Sequence, residues 1–146
     1  MIIKNLQKNK GFVLLFAVTL AAILLSIALG VSNIALREIK FGTSAKDTNE
    51  AFFAADTGVE KVLFLDKDPE SFPAPEEGNA IIFDTVYVPG LGNTGKSCAI
   101  VTITKDFTLP VLKTTIISKG YNLGGDDPLC LSTNRDRIER QLEVRY

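Results

Sequence analysis

The stretch FVLLFAVTLAAILLSIALGV, residues 12–31, decides the fold of this chain. Its twenty residues include only two polar side chains, Thr19 and Ser26, and no charge. A helix rises about 1.5 Å per residue, so this run spans about 30 Å, the thickness of the hydrocarbon core of a bilayer. The run therefore predicts a transmembrane helix.

The charges on either side of this run predict its orientation. Residues 1–11 contain three lysines and no acid, whereas the far flank mixes Arg37, Glu38 and Lys40. The positive-inside rule then places the N-terminus in the cytosol and residues 32–146 outside, after a single pass through the cytoplasmic membrane. Removal as a signal peptide after Ala28-Leu29-Gly30 is an alternative, although the apolar run exceeds the usual h-region of about 7–15 residues.

The composition argues against catalysis and against nucleic-acid binding. The chain has 146 residues, enough for one ordinary domain, with a formal charge of −1 and no histidine. A triad that uses histidine is therefore excluded, and two cysteines without histidine do not make a zinc site. The formal charge gives no reason to expect nucleic-acid binding, which needs a basic face to neutralise phosphates. We predict a protein that is not an enzyme.

A second helical segment, residues 32–65, continues from the apolar run without a proline. Gly30 and Gly42 are its weak points, where we expect bends or melted turns. Beyond Gly42 apolar and small residues recur at spacings of three and four, which predicts one face that packs on a surface. This stripe consists of Ala45, Thr48, Phe52, Ala55, Val59 and Val62.

Residues 66–146 have the pattern of a β-rich head. Residues 66–79 contain three prolines and five acids, which predicts a loop that ends the helix. The last run alternates charged and apolar residues, with Arg140 as the exception on the apolar face, as in an antiparallel strand with one solvated side. The fold class is therefore α+β, a long N-terminal helix with an antiparallel sheet packed on its second half. The predicted strands are 80–88, 98–105, 113–121 and 137–146, with a short edge piece at 107–112.

The residues before the apolar run carry a family resemblance. KNKGF, residues 8–12, followed at once by the run, resembles the leader and cleavage site of type IV prepilins. In that family a prepilin peptidase cuts after the glycine and methylates the new N-terminal residue. The resemblance implies that residues 1–11 are a leader, that cleavage falls between Gly11 and Phe12, and that Phe12 becomes N-methylated.

A second motif narrows the resemblance. AFFAADTGVE, residues 51–60, is similar to the helix of X-type minor pilins and K-type pseudopilins, and residues 137–146 loosely resemble their last strand. Major pilins carry a glutamate at the fifth mature position, where this chain has Phe16, and its absence in the family goes with subunits at the filament tip. The resemblance implies a minor subunit that primes or caps a pilus, a secretion pseudopilus or a DNA-uptake filament.

The resemblance also implies partners for the protein and contact residues on the helix. The partners are the prepilin peptidase, other pilins or pseudopilins, an inner-membrane assembly platform and the lipid bilayer. In such a filament the apolar half of the helix exchanges lipid for neighbouring helices, and we expect contacts at Phe12, Phe16, Leu20 and Ile27. The alternative is an uncleaved signal-anchored envelope protein whose head binds a ligand outside the cytoplasm.

Three further features of the head each allow two interpretations. Cys98 and Cys130 lie outside the membrane, where a disulfide can form, with free buried thiols as the alternative. GLGNTGKS, residues 90–97, matches the phosphate-loop pattern G-x-x-x-x-G-K-S/T, but a β-branched run follows it instead of a helix. We therefore interpret it as a turn between strands. GGDD at 124–127 and DKDPE at 66–70 offer oxygen ligands to calcium, or are solvated acidic loops, and we predict no cofactor.

Overall fold

The computed structural model describes residues 10–108, 110–124 and 128–146. One helix, α1, covers Lys10–Leu65. It stays helical through Gly30 and Gly42, so the predicted melted turns are wrong. Residues 1–9 of the predicted leader lie outside the described residues. The chain divides after Thr43 into two compact units, the second of which contains the end of α1 and the sheet.

The second unit is built on an antiparallel sheet of five strands. They are β1 (Ala80–Ile82), β2 (Val86–Leu91), β3 (Ser97–Asp106), β4 (Lys113–Tyr121) and β5 (Glu139–Arg145). Their order is β1-β3-β4-β5, and β2 pairs with β3 on the same side as β1. The α+β class is confirmed, as is the alternation predicted for the last strand, where Leu142 and Val144 are partly buried between exposed neighbours.

The end of α1 packs on one face of this sheet through small residues. Ala51, Ala54 and Ala55 are almost fully buried. Ala51 and Ala55 lie against Gly120 of β4, where a Cβ atom would collide with their backbone. Glycine is therefore required at this crossing, since any side chain would push the helix away. The core continues towards the end of α1 through Val59, Val62, Val88, Ala99, Val101, Ile103 and Ile116.

The predicted helix stripe is partly wrong. Ala55, Val59 and Val62 are buried as predicted, but Ala45 is exposed and Phe52 is 43% exposed. Ala51, Ala54 and Gly58 take the central positions of the contact. The physical reason is the close approach to β4, which accepts small residues and leaves no room for a phenylalanine ring.

Two strand predictions are also corrected. The predicted strand at 80–88 is two strands, β1 and β2, separated by residues 83–85. The Phe83 N–H still donates to the carbonyl of Ile103 at 3.0 Å, and the Phe83 ring packs against Phe72 with 5.1 Å between ring centroids. The segment 107–112 contains no strand among its described residues, and Leu109 lies outside them. Thr108 instead donates two hydrogen bonds to the Asp106 carboxylate, which lower the pKa of Asp106.

Candidate functional site: the apolar half of helix α1

The first half of α1 presents large apolar side chains to its surroundings on every side. Phe12 is 73% exposed, and the other large apolar residues up to Phe41, which is 77% exposed, all remain exposed in the chain. By length and composition this helix is able to cross a membrane. In water such a surface is unfavourable by about 25 cal/mol for each Å² of apolar area. A surface of this kind is therefore more stable in an apolar environment than in water.

The polar groups within residues 12–31 are already satisfied. The Thr19 hydroxyl donates to the carbonyl of Phe16 at 2.9 Å, and the Ser26 hydroxyl donates to the carbonyl of Ala22 at 2.9 Å. In hydrocarbon an unpaired hydroxyl is costly, but a hydroxyl bonded to the preceding turn is tolerated. The two polar residues therefore do not disfavour a lipid environment.

The predicted cleavage site and filament contacts lie on this half of the helix. Gly11 and Phe12 are in its first described turns, and a Cβ at Gly11 would meet no atom within 4 Å. Phe12, Phe16, Leu20 and Ile27 follow at spacings of four, four and seven, so they share one helix face. All four side chains are exposed.

A polar cluster at the end of α1, in which Lys105 and Asp66 are largely buried and Tyr146 is exposed, has no counterpart in the sequence predictions. The Lys105 ammonium contacts the Asp66 carboxylate at 2.6 Å and donates to the carbonyl of Phe72 at 2.6 Å. The Tyr146 hydroxyl donates to the other Asp66 oxygen at 2.5 Å. Partial burial and this hydrogen bond raise the pKa of Tyr146 to about 12. The cluster joins the helix end to the loop, to β3 and to Tyr146.

The disulfide fastens a loop over the other face of the sheet. Cys98 and Cys130 are bonded, with their Cα atoms 6.1 Å apart, and form a second small core with Tyr121. The Arg137 guanidinium lies 3.7 Å from the centroid of the Tyr121 ring and donates to the carbonyls of Cys130 and Ser132. Burial, with a hydrogen bond to Glu139, raises the pKa of Tyr121 to about 12.

The motifs that suggest ligands do not form sites in the described residues. Residues 90–97 join β2 to β3 with no helix after them, which confirms the interpretation as a turn between strands. Asp66 is occupied by Lys105 and Tyr146, and Asp68 accepts hydrogen bonds from Glu70 and Ser71. Across the described ranges no group of three or more Asp, Glu or Cys side chains is placed to hold a metal. Residues 125–127 of the other predicted calcium segment, GGDD at 124–127, lie outside those ranges.

No protein family model, curated protein or solved structure matches this chain.

Proposed function

We propose that this protein is a minor subunit of a type IV pilin-like filament, with a structural role in priming or capping assembly. The observation that carries the proposal is the exposed, uncharged apolar surface of residues 12–31, whose two hydroxyls are satisfied within the helix. Such a helix is suited to wait in the cytoplasmic membrane and then to exchange lipid for the helices of other subunits.

The outer half of α1 supports the same proposal in a different way. Its small residues at positions 51, 54, 55 and 58 are fully used by the contact with the sheet. The chain therefore covers the end of the helix itself and leaves the first half for other molecules. The resemblance of residues 8–12 and 51–60 to prepilins fits this division of the helix.

Leader processing tests the proposal directly. We would express the full chain with and without a prepilin peptidase, and measure the intact mass and the N-terminal sequence. The expected product begins at an N-methylated Phe12 and appears only with the peptidase. Persistence of Met1 beside an active peptidase would refute the proposal and favour the uncleaved signal anchor. A start near Val31 would indicate a removable signal peptide.

Two glycine variants make this test specific to the cleavage site. Gly11→Val should abolish processing, since the residue that precedes the cut is changed. Gly30→Val makes the same chemical change in the same helix and should be processed normally. A Cβ at either position meets no atom within 4 Å, so neither variant is expected to disturb packing within the chain.

The placement at the filament tip rests on Phe16. A carboxylate in lipid is unfavourable, so a subunit with phenylalanine at this position inserts easily but offers no partner to the N-terminal amine of a neighbour. We therefore expect few copies per filament. Quantitative mass spectrometry of purified filaments checks this, and a finding that the protein is their most abundant subunit would exclude the tip assignment.

A further inference from the structure

The outer edge of β5 is an open strand edge. In the described part of the chain β5 pairs only with β4, and every residue of β5 except Leu142 and Val144 is exposed. The opposite edge of the sheet is different, since it is divided between the short β1 and β2 and contains Pro89 with a register shift. Interrupted edges with proline resist pairing with another chain, whereas a continuous edge of seven residues offers backbone groups to a partner.

The register of β4 and β5 shows which backbone groups point outward. Thr114 and Tyr146 exchange hydrogen bonds, 2.7 Å and 3.1 Å long. Antiparallel strands alternate hydrogen-bonded and non-hydrogen-bonded pairs, so the even-numbered residues of β5 bond to β4. The regular register along the whole strand extends this pattern to Glu139. The N–H and C=O groups of Glu139, Gln141, Glu143 and Arg145 therefore face away from the sheet.

We propose that this edge pairs with β5 of a second copy of the chain, antiparallel, about a two-fold axis at Leu142. In this register all four outward residues find outward partners, so the sheets of the two copies join through their backbones. Glu139 lies opposite Arg145 of the second copy, and Gln141 lies opposite Glu143 of the second copy. Opposite charges directly across a strand pair are stabilising.

The charges select this register over its neighbours. A shift by two residues places Glu139 opposite Glu143 of the second copy in one direction, and Glu143 opposite its own equivalent in the other. Each shift also leaves one of the four outward residues without a partner, and like charges directly opposite are destabilising. Within the chain Glu139 contacts Lys119 at 3.4 Å and Arg145 contacts Glu143, so the paired edges form one alternating network of charges.

The symmetry of the proposed pair follows from the strand geometry. A two-fold axis between antiparallel strands is normal to the sheet, so the ends of α1 packed on the two sheets run in opposite directions. The pairing of the edges does not depend on the proposed function.

Single cysteines along β5 test both the pairing and its register. We would purify the full chain in detergent as Gln141→Cys, Leu142→Cys and Glu143→Cys, oxidise it, and measure the dimer on a non-reducing gel. The native cysteines are bonded to each other and buried, so the unsubstituted chain provides the background. At the two-fold axis equivalent Cα atoms are about 4.5 Å apart, within the range of a disulfide.

The expected result is a dimer for Leu142→Cys that exceeds the other two by about ten-fold, because diagonal positions about 7–8 Å apart are rarely bridged. Equal dimer at all three positions, a maximum at 141 or 143, or no dimer above background would each overturn the proposal. A proline variant adds a matched control. Gln141→Pro removes an N–H that the chain's own sheet does not use, so it should abolish the Leu142→Cys dimer, whereas Gln141→Ala should keep it.

A charge exchange covers the case in which the proline variant fails to fold. With Leu142→Cys present, Glu139→Arg places two arginines opposite each other and should reduce the dimer to background. The exchange Glu139→Arg with Arg145→Glu restores opposite charges and should restore the dimer. A dimer that ignores both changes would refute the charge-selected register.

Discussion

Replacing Gly120 with alanine tests the contact between the end of α1 and the sheet. The Cβ atom of alanine would overlap the carbonyl oxygen of Ala51 and the amide nitrogen of Ala55, and would lie 2.8 Å from the Cα of Ala55. These are backbone atoms, so no rotamer change relieves the overlap and the helix must move away from β4. Gly120 does not have a positive φ, so its backbone conformation does not penalise alanine.

The expected loss follows from this geometry. Overpacking of a core costs about 1–3 kcal/mol, and a collision with backbone belongs at the upper end of that range. The lower entropy of the unfolded alanine chain offsets roughly 0.4–1 kcal/mol. We expect a net loss of about 2 kcal/mol, which lowers the thermal midpoint of a unit of this size by about 8–16 °C.

Thermal unfolding of the full chain in detergent, followed by circular dichroism, measures this change. Gly42→Ala is the matched control, because its Cβ meets no atom within 4 Å and alanine favours a helix by about 1 kcal/mol over glycine. The control should melt no lower than the wild type. If Gly120→Ala also melted within about 2 °C of the wild type, the close approach of α1 to β4 would be wrong.

Three further predictions concern the polar cluster and the disulfide. Asp66→Asn should lower the free energy of unfolding of the head in urea by about 3–5 kcal/mol, because it leaves the Lys105 charge buried without its partner. The double variant Asp66→Leu with Lys105→Met should lower it much less. Equal losses in the two variants would contradict the ion pair. Reduction of Cys98–Cys130 should lower stability by about 3–4 kcal/mol in the loop-entropy account, and identical midpoints with and without reductant would exclude this. The raised pKa of Tyr146, about 12, means that the unfolded tyrosine ionises first, so stability is complete below about pH 10 and falls as the pH rises to about 12. Tyr146→Phe should flatten this fall, and an unchanged alkaline unfolding curve would count against the hydrogen bond to Asp66.

Much of the fold is predictable because its helix and strands follow from local sequence patterns. Twenty consecutive uncharged residues predict a helix at 12–31 whatever surrounds them, and the alternation of 137–146 predicts an antiparallel strand with one solvated face. Two cysteines allow one pairing within the chain, and the structure forms it. Residues 90–97 were separable from a phosphate loop because the β-branched residues that follow do not start a helix.

The parts that could not be predicted depend on contacts between distant residues. Spacings of three and four fit Phe52 as well as Ala51, and only the collision of any larger side chain with β4 at Gly120 selects the alanine side. Asp66 is in an acidic loop by sequence, and Lys105 is at an inward position of β3 that by pattern should be apolar. Their pairing follows from where α1 ends on the sheet, which no local pattern contains.

The composition of α1 changes along its length in a way that indicates what each part contacts. The second half of α1 has small residues on one side of the helix, at positions 51, 54, 55 and 58. One closely packed surface requires this arrangement, and the sheet provides that surface. Residues 12–31 are large and apolar on all sides, so no single surface satisfies them and they need an apolar environment that surrounds the helix. Under the proposed function, lipid would provide this environment before assembly and a bundle of similar helices would provide it afterwards. Lipid alone would serve an isolated anchored head equally well, so the proposal of a structural subunit rests on the resemblance of residues 8–12 and 51–60 to prepilins.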